Sequence, residues 1–161
     1  MCVSSRLNMS LAPFVPSPMN VVTAMLELAE LHRDDILFDL GCGDARIVIE
    51  AVQKFGARAV GVELDEGRYK DCVKRIREAH LEYQIEIIHG NILEVDLKKA
   101  DVVTLYLLTS ANDRIRPNLE RDLKKGARVV SHDFSITGWT PSKTKEIKES
   151  WGSHTLYLYQ R

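Results

Sequence analysis

The sequence has few cysteines, and their spacing excludes a disulfide-stabilised fold. Cys2, Cys42 and Cys72 are the three cysteines among the 161 residues, and no two of them form a Cys-x-x-Cys pair. An odd number of isolated cysteines is typical of reduced thiols in a cytosolic protein. The five histidines are also dispersed, without an HxxxH pair or a Cys/His cluster, so the sequence predicts no metal site.

Long apolar runs and a strong charge of either sign are also lacking. The formal net charge is −1, so no overall basic field would attract nucleic acid. No apolar run approaches the ~20 residues that cross a bilayer, and the N-terminal segment lacks the features of a signal or transit peptide. We therefore expect a cytoplasmic protein with no membrane partner. Its length predicts a single domain, residues 1–161.

Short apolar runs alternate with segments of helical periodicity along the chain. Residues 1–17 predict an extended N-terminal strap, and Ser17-Pro18 predicts the N-cap and first residue of a helix that ends near Leu31. The runs that predict strands are 36–40, 57–64, 84–89, 101–107, 127–132, 143–149 and 154–160. The segments that predict further helices are 47–55, 66–80 and 111–124.

This alternation predicts an α/β fold with a mostly parallel seven-stranded sheet and helices on both faces. Strands joined by helices form right-handed crossovers, which place successive strands parallel to one another. Only residues 150–153 separate the last two strands, so these strands predict an antiparallel hairpin at the end of the sheet.

The sharpest local pattern is DLGCGDAR, residues 39–46, where the first strand turns into a helix. Gly41 and Gly43 would let the backbone pass close to a ligand. A dinucleotide-binding loop needs glycine where this chain has Arg46, and a carboxylate at Asp39 would repel phosphates. Asp39 instead suits a ligand that carries a sulfonium and an ammonium, as S-adenosylmethionine does. The alternative is that Asp39 and Gly41 only build a turn.

Polar side chains also occur at the end of the second strand and just after the third. Glu63 is placed to accept hydrogen bonds from both hydroxyls of a ribose, whereas Asp65 is expected only to cap the next helix. Asn91, with Ile92 beside it, is expected near an adenine edge, and a plain Gly-Asn turn is the alternative. The carboxyl ends of parallel strands meet at the sheet edge where open α/β sheets bind ligands.

Four motifs together resemble one enzyme family. DLGCGDAR, GVELD, HGN and SHTLYLY look like the small archaeal, crenarchaeal-type protein lysine methyltransferases, whose animal relatives are mitochondrial methyltransferases of the ATP synthase c subunit and the adenine nucleotide translocase. FVPSP, YLLT and VVSHDF resemble further family segments, so the likeness spans nearly the whole chain. It implies a Rossmann-like class I methyltransferase fold and S-adenosylmethionine as the cofactor. The membrane anchor of the animal members is not carried over.

One position departs from the family pattern. The family has glycine where this chain has Ala45. We expect alanine to be acceptable there if the residue is already helical, with at most a slight loss of cofactor affinity.

The resemblance implies methyl transfer to the side-chain amine of lysines in protein substrates. The cofactor carries the reactive methyl group, while burial and the sulfonium charge lower the pKa of the lysine, so no dedicated general base is required. Tyr106, at the end of the fourth strand, is the catalytic candidate that would line the acceptor channel, and an ordinary core or rim tyrosine is the alternative. His132 is interpreted as structural rather than as a proton relay. Other channel candidates are Phe14, Ser17, Leu107 and Trp139.

Two other functions stay open. One is a methyltransferase that acts on RNA or a small molecule, and the other is a non-catalytic protein that binds the cofactor as part of a larger assembly. YLLT stands where an enzyme that methylates nucleic-acid amines would have an Asn/Asp-Pro-Pro-aromatic motif, and no insertion is available to enclose a small substrate. We therefore expect protein substrates, no stable nucleic-acid partner and a monomer.

Overall fold

The structure, a computed structural model, describes residues 14–161, so residues 1–13 of the expected strap lie outside the described part. The helices are α1 (Met19–Leu28), α2 (Arg46–Phe55), α3 (Glu66–Glu78) and α4 (Thr109–Asp122). The strands are β1 (Ile36–Leu40), β2 (Arg58–Glu63), β3 (Ile85–His89), β4 (Val102–Leu105), β5 (Arg128–His132), β6 (Lys143–Glu149) and β7 (Gly152–Gln160). A short 3-10 helix (Ile92–Glu94) follows β3.

One sheet joins these strands in the order β3-β2-β1-β4-β5-β7-β6. β1 to β5 pair in parallel, and β7 runs antiparallel to both β5 and β6. The chain winds outward from β1 to β3 and then crosses to the other side of β1 to form β4. This reversal lies between β1 and β4, and it is the place where open α/β sheets bind ligands. The expected mostly parallel sheet with a terminal hairpin is confirmed.

Alternating side chains divide the core into two layers. On β1, Leu37 packs in the layer beneath α1, α2 and α3, whereas Phe38 and Leu40 pack beneath α4. This period of two is the geometry of a strand buried on both faces. Helices therefore cover both sides of the sheet, as expected. None of the helices within residues 14–161 is long and apolar enough to cross a membrane.

The first helix differs from the prediction at both ends. Pro18 is the N-cap and makes no side-chain capping bond, so the assignment of Ser17 as the N-cap is wrong. The Ser17 hydroxyl lies instead 2.8 Å from Nδ1 of His132, because a long-range contact has replaced the local one. The helix ends at Leu28, and Leu31 is buried beyond it. Because Leu31 is apolar and at helical spacing from the residues before it, the sequence pattern continues past the true end of the helix.

Other elements shift by a few residues. β4 ends at Leu105, so Tyr106 and Leu107 lie in the loop that follows rather than in the strand. The β6–β7 hairpin is confirmed, but Glu149 pairs with Gly152, and the connecting turn is therefore shorter than the four residues expected. Strand ends carry few apolar side chains and are the least specified part of the pattern.

Candidate active site

A cleft opens at the carboxyl ends of β1, β2 and β4, at the reversal of the sheet. It is lined by Phe14, Val15, Pro16, Ser17, Asp39, Gly41, Cys42, Gly43, Asp44, Arg46, Ile47, Val62, Glu63, Leu64, Arg68, Asn91, Ile92, Tyr106 and Leu107. The structure thus brings together every candidate site residue except Trp139. Most of these positions follow from the sheet, because Asp39 and Glu63 lie at the ends of β1 and β2, and Asn91 and Tyr106 lie just beyond β3 and β4. The strap adds Phe14 and Ser17 from the other side of the cleft.

The glycine loop packs closely against the strap and is held in place by β2. Gly41 has a φ of +84°, and its N–H and that of Cys42 both lie 2.9 Å from the Val62 carbonyl oxygen. A Cβ atom on Gly43 would collide with the ring of Phe14. The loop therefore requires glycine for conformation at Gly41 and for a close approach at Gly43.

Ala45 is not in the helix. The condition under which alanine was expected to be acceptable at this position is therefore not met. Its φ of 68° and ψ of 12° place it in the left-handed region, at the N-cap position of α2. A residue with a Cβ atom is strained there by roughly 1–2 kcal/mol relative to the right-handed region. The side chain is fully buried, so part of this cost is offset by packing. The glycine of the family pattern would avoid the strain.

Asp39 is a buried carboxyl group at the floor of the cleft. Its Oδ1 accepts a hydrogen bond of 2.9 Å from the Thr104 hydroxyl. Burial, with added repulsion from Glu63 and Asp44, raises its pKa to about 7, and the Thr104 hydrogen bond opposes this shift. A cation placed beside Asp39 would favour its ionised form, so this environment suits a positively charged ligand.

Glu63 is buried and held by Arg68. Its Oε1 accepts a 2.9 Å bond from Nε of Arg68, and its Oε2 accepts a 3.3 Å bond from the N–H of Asp65. The same arginine lies 5.0 Å from the centre of the Phe14 ring, a cation–π contact that joins the strap to the second strand. Arg68 was missed from the sequence, where it looks like an ordinary charge on the exposed face of a helix. The expected cap is confirmed, because Asp65 accepts a bond from the Arg68 N–H.

Asn91 forms the turn that the sequence offered as an alternative to ligand binding. Its Oδ1 accepts a 2.9 Å bond from the Leu93 N–H and caps the 3-10 helix. The residue nevertheless lines the cleft together with Ile92. The two interpretations are compatible, because the cap uses only the carbonyl end of the side chain.

Arg46 fastens the described end of the strap to the glycine loop. Its Nη1 donates a 2.8 Å bond to the Ser17 carbonyl oxygen, and its Nη2 donates a 2.6 Å bond to Oδ2 of Asp44. The ion pair lowers the pKa of Asp44. From the sequence, Arg46 served only to exclude a dinucleotide loop, and this fastening role was missed because it depends on a partner 29 positions away.

Tyr106 forms the wall of the cleft at the end of β4. Its ring stacks on His132 with a centroid separation of 3.8 Å, and Phe134 lies 6.4 Å away on a similar plane. Burial and the charge of Asp133 raise the pKa of Tyr106. The hydroxyl therefore stays protonated at neutral pH and can act only as a neutral hydrogen-bonding group.

His132 is completely buried between the strap and the terminal hairpin. Its Nδ1 faces Ser17, and its Nε2 lies 2.8 Å from Nδ1 of His154. Burial lowers the pKa of His132 to about 4. The two histidines lie close to Asp133, and the three side chains form a group that could ligate a metal ion. The prediction of no metal site assumed that histidines dispersed in the sequence stay apart, and that assumption is wrong for this group. The β5–β7 pairing brings them together.

Trp139 lies outside the cleft. Its Nε1 donates a 2.8 Å bond to Oε1 of Glu120, and its ring packs edge-on against Tyr159 at 5.6 Å. Arg161 stacks over it at 4.4 Å. The structure therefore gives it a packing role near α4 rather than a place in the channel.

The fold and the cleft define a class I methyltransferase that uses S-adenosylmethionine. A solved structure titled as an RNA methyltransferase from Salinibacter ruber, in complex with S-adenosyl-L-homocysteine, is 43% identical and superposes with a TM-score of 0.86. The alignment covers 91% of this chain and 93% of that one. The bound product form of the cofactor in this relative agrees with the expected cofactor.

Sequence comparison gives the family. Residues 39–143 match the model of the ANTKMT methyltransferase domain, and the chain belongs to this family. A protein named protein-lysine N-methyltransferase from Saccharolobus islandicus (strain REY15A) is 45% identical over 91% of this chain and 92% of its own length. The lysine N-methyltransferase of the ATP synthase c subunit from Mus musculus is 30% identical over 82% of this chain, but the match spans only 53% of that protein.

Proposed function

We propose that this methyltransferase transfers a methyl group from S-adenosylmethionine to the side-chain amines of lysines in proteins. One observation carries the proposal: the identity of 45% to the archaeal protein-lysine N-methyltransferase extends across nine-tenths of both chains. The alignment takes in 148 residues of this chain, so it spans the acceptor side of the cleft at Tyr106 as well as the cofactor loop.

The residues of the cleft fit the cofactor. Gly41 is exposed at the cleft and has no side chain, so a ligand can lie against its backbone. Asp39 would face the cationic part of the cofactor, and Glu63 would accept hydrogen bonds from its ribose hydroxyls. Asn91 and Ile92 would bound the adenine. When bound, S-adenosylmethionine supplies a methyl group already activated by its sulfonium.

The protein's task at the acceptor end is to place a neutral amine in line with that methyl group. A lysine of pKa ~10.4 costs about 4.6 kcal/mol to deprotonate at pH 7. Burial beside the ring of Tyr106 and the apolar side chain of Leu107 reduces this cost, because it disfavours the charged form. Tyr106 then fixes the direction from which the amine approaches the methyl group, and holding the two groups close together lowers the barrier further.

The rim of the cleft suits a side chain presented by a larger molecule. Phe14, Val15, Met19 and Leu108 are exposed apolar residues at or near this end of the sheet. An open, apolar rim can pack against a protein surface while one extended side chain enters. A lysine side chain is long and unbranched, so it can reach from a protein surface at the rim into the cleft.

Methylation of RNA is the second candidate, because the Salinibacter relative is titled as an RNA methyltransferase. The charges of the cleft favour protein. Among the described lining residues, the arginines are Arg46 and Arg68, and each is paired with an acid, Asp44 or Glu63. Paired arginines offer little to a phosphate backbone, which needs cations that can replace counterions.

The two candidates are separated by a labelling experiment. The purified protein is incubated with a mixed cell extract and S-adenosylmethionine that carries a deuterated methyl group, and label is located separately in peptides and in nucleosides by mass spectrometry. We expect label on lysine side chains, and none with the Asp39→Ala variant. Label confined to nucleosides would transfer the assignment to RNA and overturn the proposal.

A further inference from the structure

Three side chains with metal-ligating atoms meet just behind the wall of the cleft. Nε2 of His132 lies 2.8 Å from Nδ1 of His154 and 3.3 Å from Oδ2 of Asp133. Nδ1 of His154 lies 3.2 Å from the same carboxylate oxygen. The three atoms form a compact triangle, which we call the His132–Asp133–His154 triad.

The size of the triangle matches the face of a metal coordination shell. With metal–ligand bonds of about 2.0–2.1 Å, neighbouring ligand atoms are about 2.9 Å apart in an octahedron and about 3.3 Å apart in a tetrahedron. The three edges of the triad, 2.8, 3.2 and 3.3 Å, are close to these two values. One ion can therefore contact all three atoms with little movement of the side chains.

All three atoms of the triad are of a kind that ligates metal ions. A ring nitrogen of His132, a ring nitrogen of His154 and a carboxylate oxygen of Asp133 can each offer a lone pair to one cation placed between them.

The groups around the triad hold two ligands in a binding orientation. Oδ1 of Asp133 accepts a 3.0 Å bond from the Thr155 N–H, which turns Oδ2 toward the histidines. The backbone of Asp133 has a φ of 62°, and its N–H donates a 2.7 Å bond to the Thr155 carbonyl oxygen. The contact between Ser17 and Nδ1 of His132 fixes the ring in the same way. Partners of this kind, which orient the ligands, are typical of metal sites.

We propose that the triad binds one divalent transition-metal ion of the zinc class. Two imidazoles and one carboxylate suit Zn²⁺, Fe²⁺, Co²⁺ or Ni²⁺, and they leave at least one coordination position open. The ion would tie β5 to β7 and, through the ring of His132, support the stacked Tyr106. This is a positioning role, and the proposal does not depend on the identity of the methyl acceptor.

The test is metal binding by the full-length protein after treatment with a chelator. Zn²⁺ is titrated by calorimetry, and Co²⁺ is added separately to record its visible absorption, which reports nitrogen and oxygen coordination. We expect one ion per chain. His154→Gln and Asp133→Asn should each weaken binding by at least about tenfold, since each removes a ligand. Asn tolerates the left-handed backbone of Asp133, so the second variant keeps the fold.

A matched control is His80→Gln, which removes a histidine outside the triad. It should leave both the stoichiometry and the Co²⁺ spectrum unchanged. The proposal would be overturned if the unmodified protein bound neither ion. It would also be overturned if His154→Gln and Asp133→Asn bound the ion as tightly as the unmodified protein does. Because the readout is binding and not methyl transfer, its result is independent of the test of the proposed function.

Discussion

At the scale of single residues, Asp39 is the group on which cofactor binding depends most. Its carboxyl is buried with a pKa raised to about 7, chiefly by loss of hydration. The carboxyl must release its proton before it can face a cation favourably. A ligand that carries positive charge is therefore bound in competition with a proton.

We predict that affinity for S-adenosylmethionine falls as the pH is lowered from 8 to 6. Below the pKa of about 7, each unit of pH should weaken binding by up to about tenfold, because ionisation of Asp39 is coupled to binding. Calorimetry at constant ionic strength measures this slope. Asp39→Asn should bind weakly at every pH with no such slope, and an affinity of the unmodified protein that does not change with pH would contradict the assignment.

Tyr106 should affect turnover more than cofactor binding. Tyr106→Ala removes the ring that stacks on His132 and bounds the acceptor end, so we predict a loss in kcat of at least about tenfold with the Kd for S-adenosylmethionine within about threefold. Tyr106→Phe keeps the stacked ring and should retain most of the activity. Equal losses of affinity and turnover in Tyr106→Ala would place this residue in the cofactor site instead.

The left-handed backbone of Ala45 has a measurable consequence for stability. Ala45→Gly relieves about 1–2 kcal/mol of backbone strain. It also removes a buried methyl group and raises the entropy of the unfolded chain, and both effects oppose the gain. The free energy of unfolding of this variant should therefore stay within about 1 kcal/mol of that of the unmodified protein. Ala45→Val should destabilise by more than about 2 kcal/mol, because a β-branched side chain is poorly tolerated at this φ. Thermal unfolding compares the two. A stable Ala45→Val variant would mean that this position is in the right-handed region after all.

At the scale of elements, Arg46 joins the described strap to the cofactor loop by hydrogen bonds. Arg46 contacts both the Ser17 carbonyl and Asp44, whereas Arg75 contacts the same Asp44 at 3.4 Å and has no hydrogen bond to the described residues of the strap. The two arginines are therefore a matched pair for separating closure of the cleft from neutralisation of Asp44.

We predict that Arg46→Ala raises the Kd for S-adenosylmethionine by about tenfold, since the strap then covers the cleft for a smaller fraction of the time. Arg75→Ala should change the Kd by less than about twofold. Titration of each variant with the cofactor, monitored by fluorescence or calorimetry, gives the two Kd values to be compared. Equal losses in the two variants would show that the charge of Asp44, and not the position of the strap, controls affinity.

The strands and helices could be predicted from the sequence because they depend on local periodicity. β1 and β6 begin and end at the expected residues, since each is bounded by residues with clear turn preferences. Ser17 was misassigned because a serine before a proline is a good local cap, and nothing nearby in the sequence reveals the competing contact with His132. The same lack of long-range information hid the approach of His154 to Asp133 and the bond from Trp139 to Glu120.

At the scale of the whole molecule, the order of the strands explains why these residues act together. The reversal between β1 and β4 places Asp39, near the end of β1, beside the loop at Tyr106, and the pairing of β2 with β1 adds Glu63. The cofactor half of the site was predictable because each of its groups lies at the end of its own strand or just beyond it. The acceptor half was less so, because it also depends on the strap and on the β5–β7 pairing.

The most direct test of the central claim uses one purified protein substrate taken from the labelling experiment. The enzyme and this substrate are incubated with S-adenosylmethionine that carries a deuterated methyl group, and the labelled atom is located by fragmentation of the substrate peptides. We predict label on a lysine side-chain nitrogen with the unmodified enzyme, none with Asp39→Ala, and a much slower rate with Tyr106→Ala. Label on another type of atom, or equal rates for the three proteins, would contradict it.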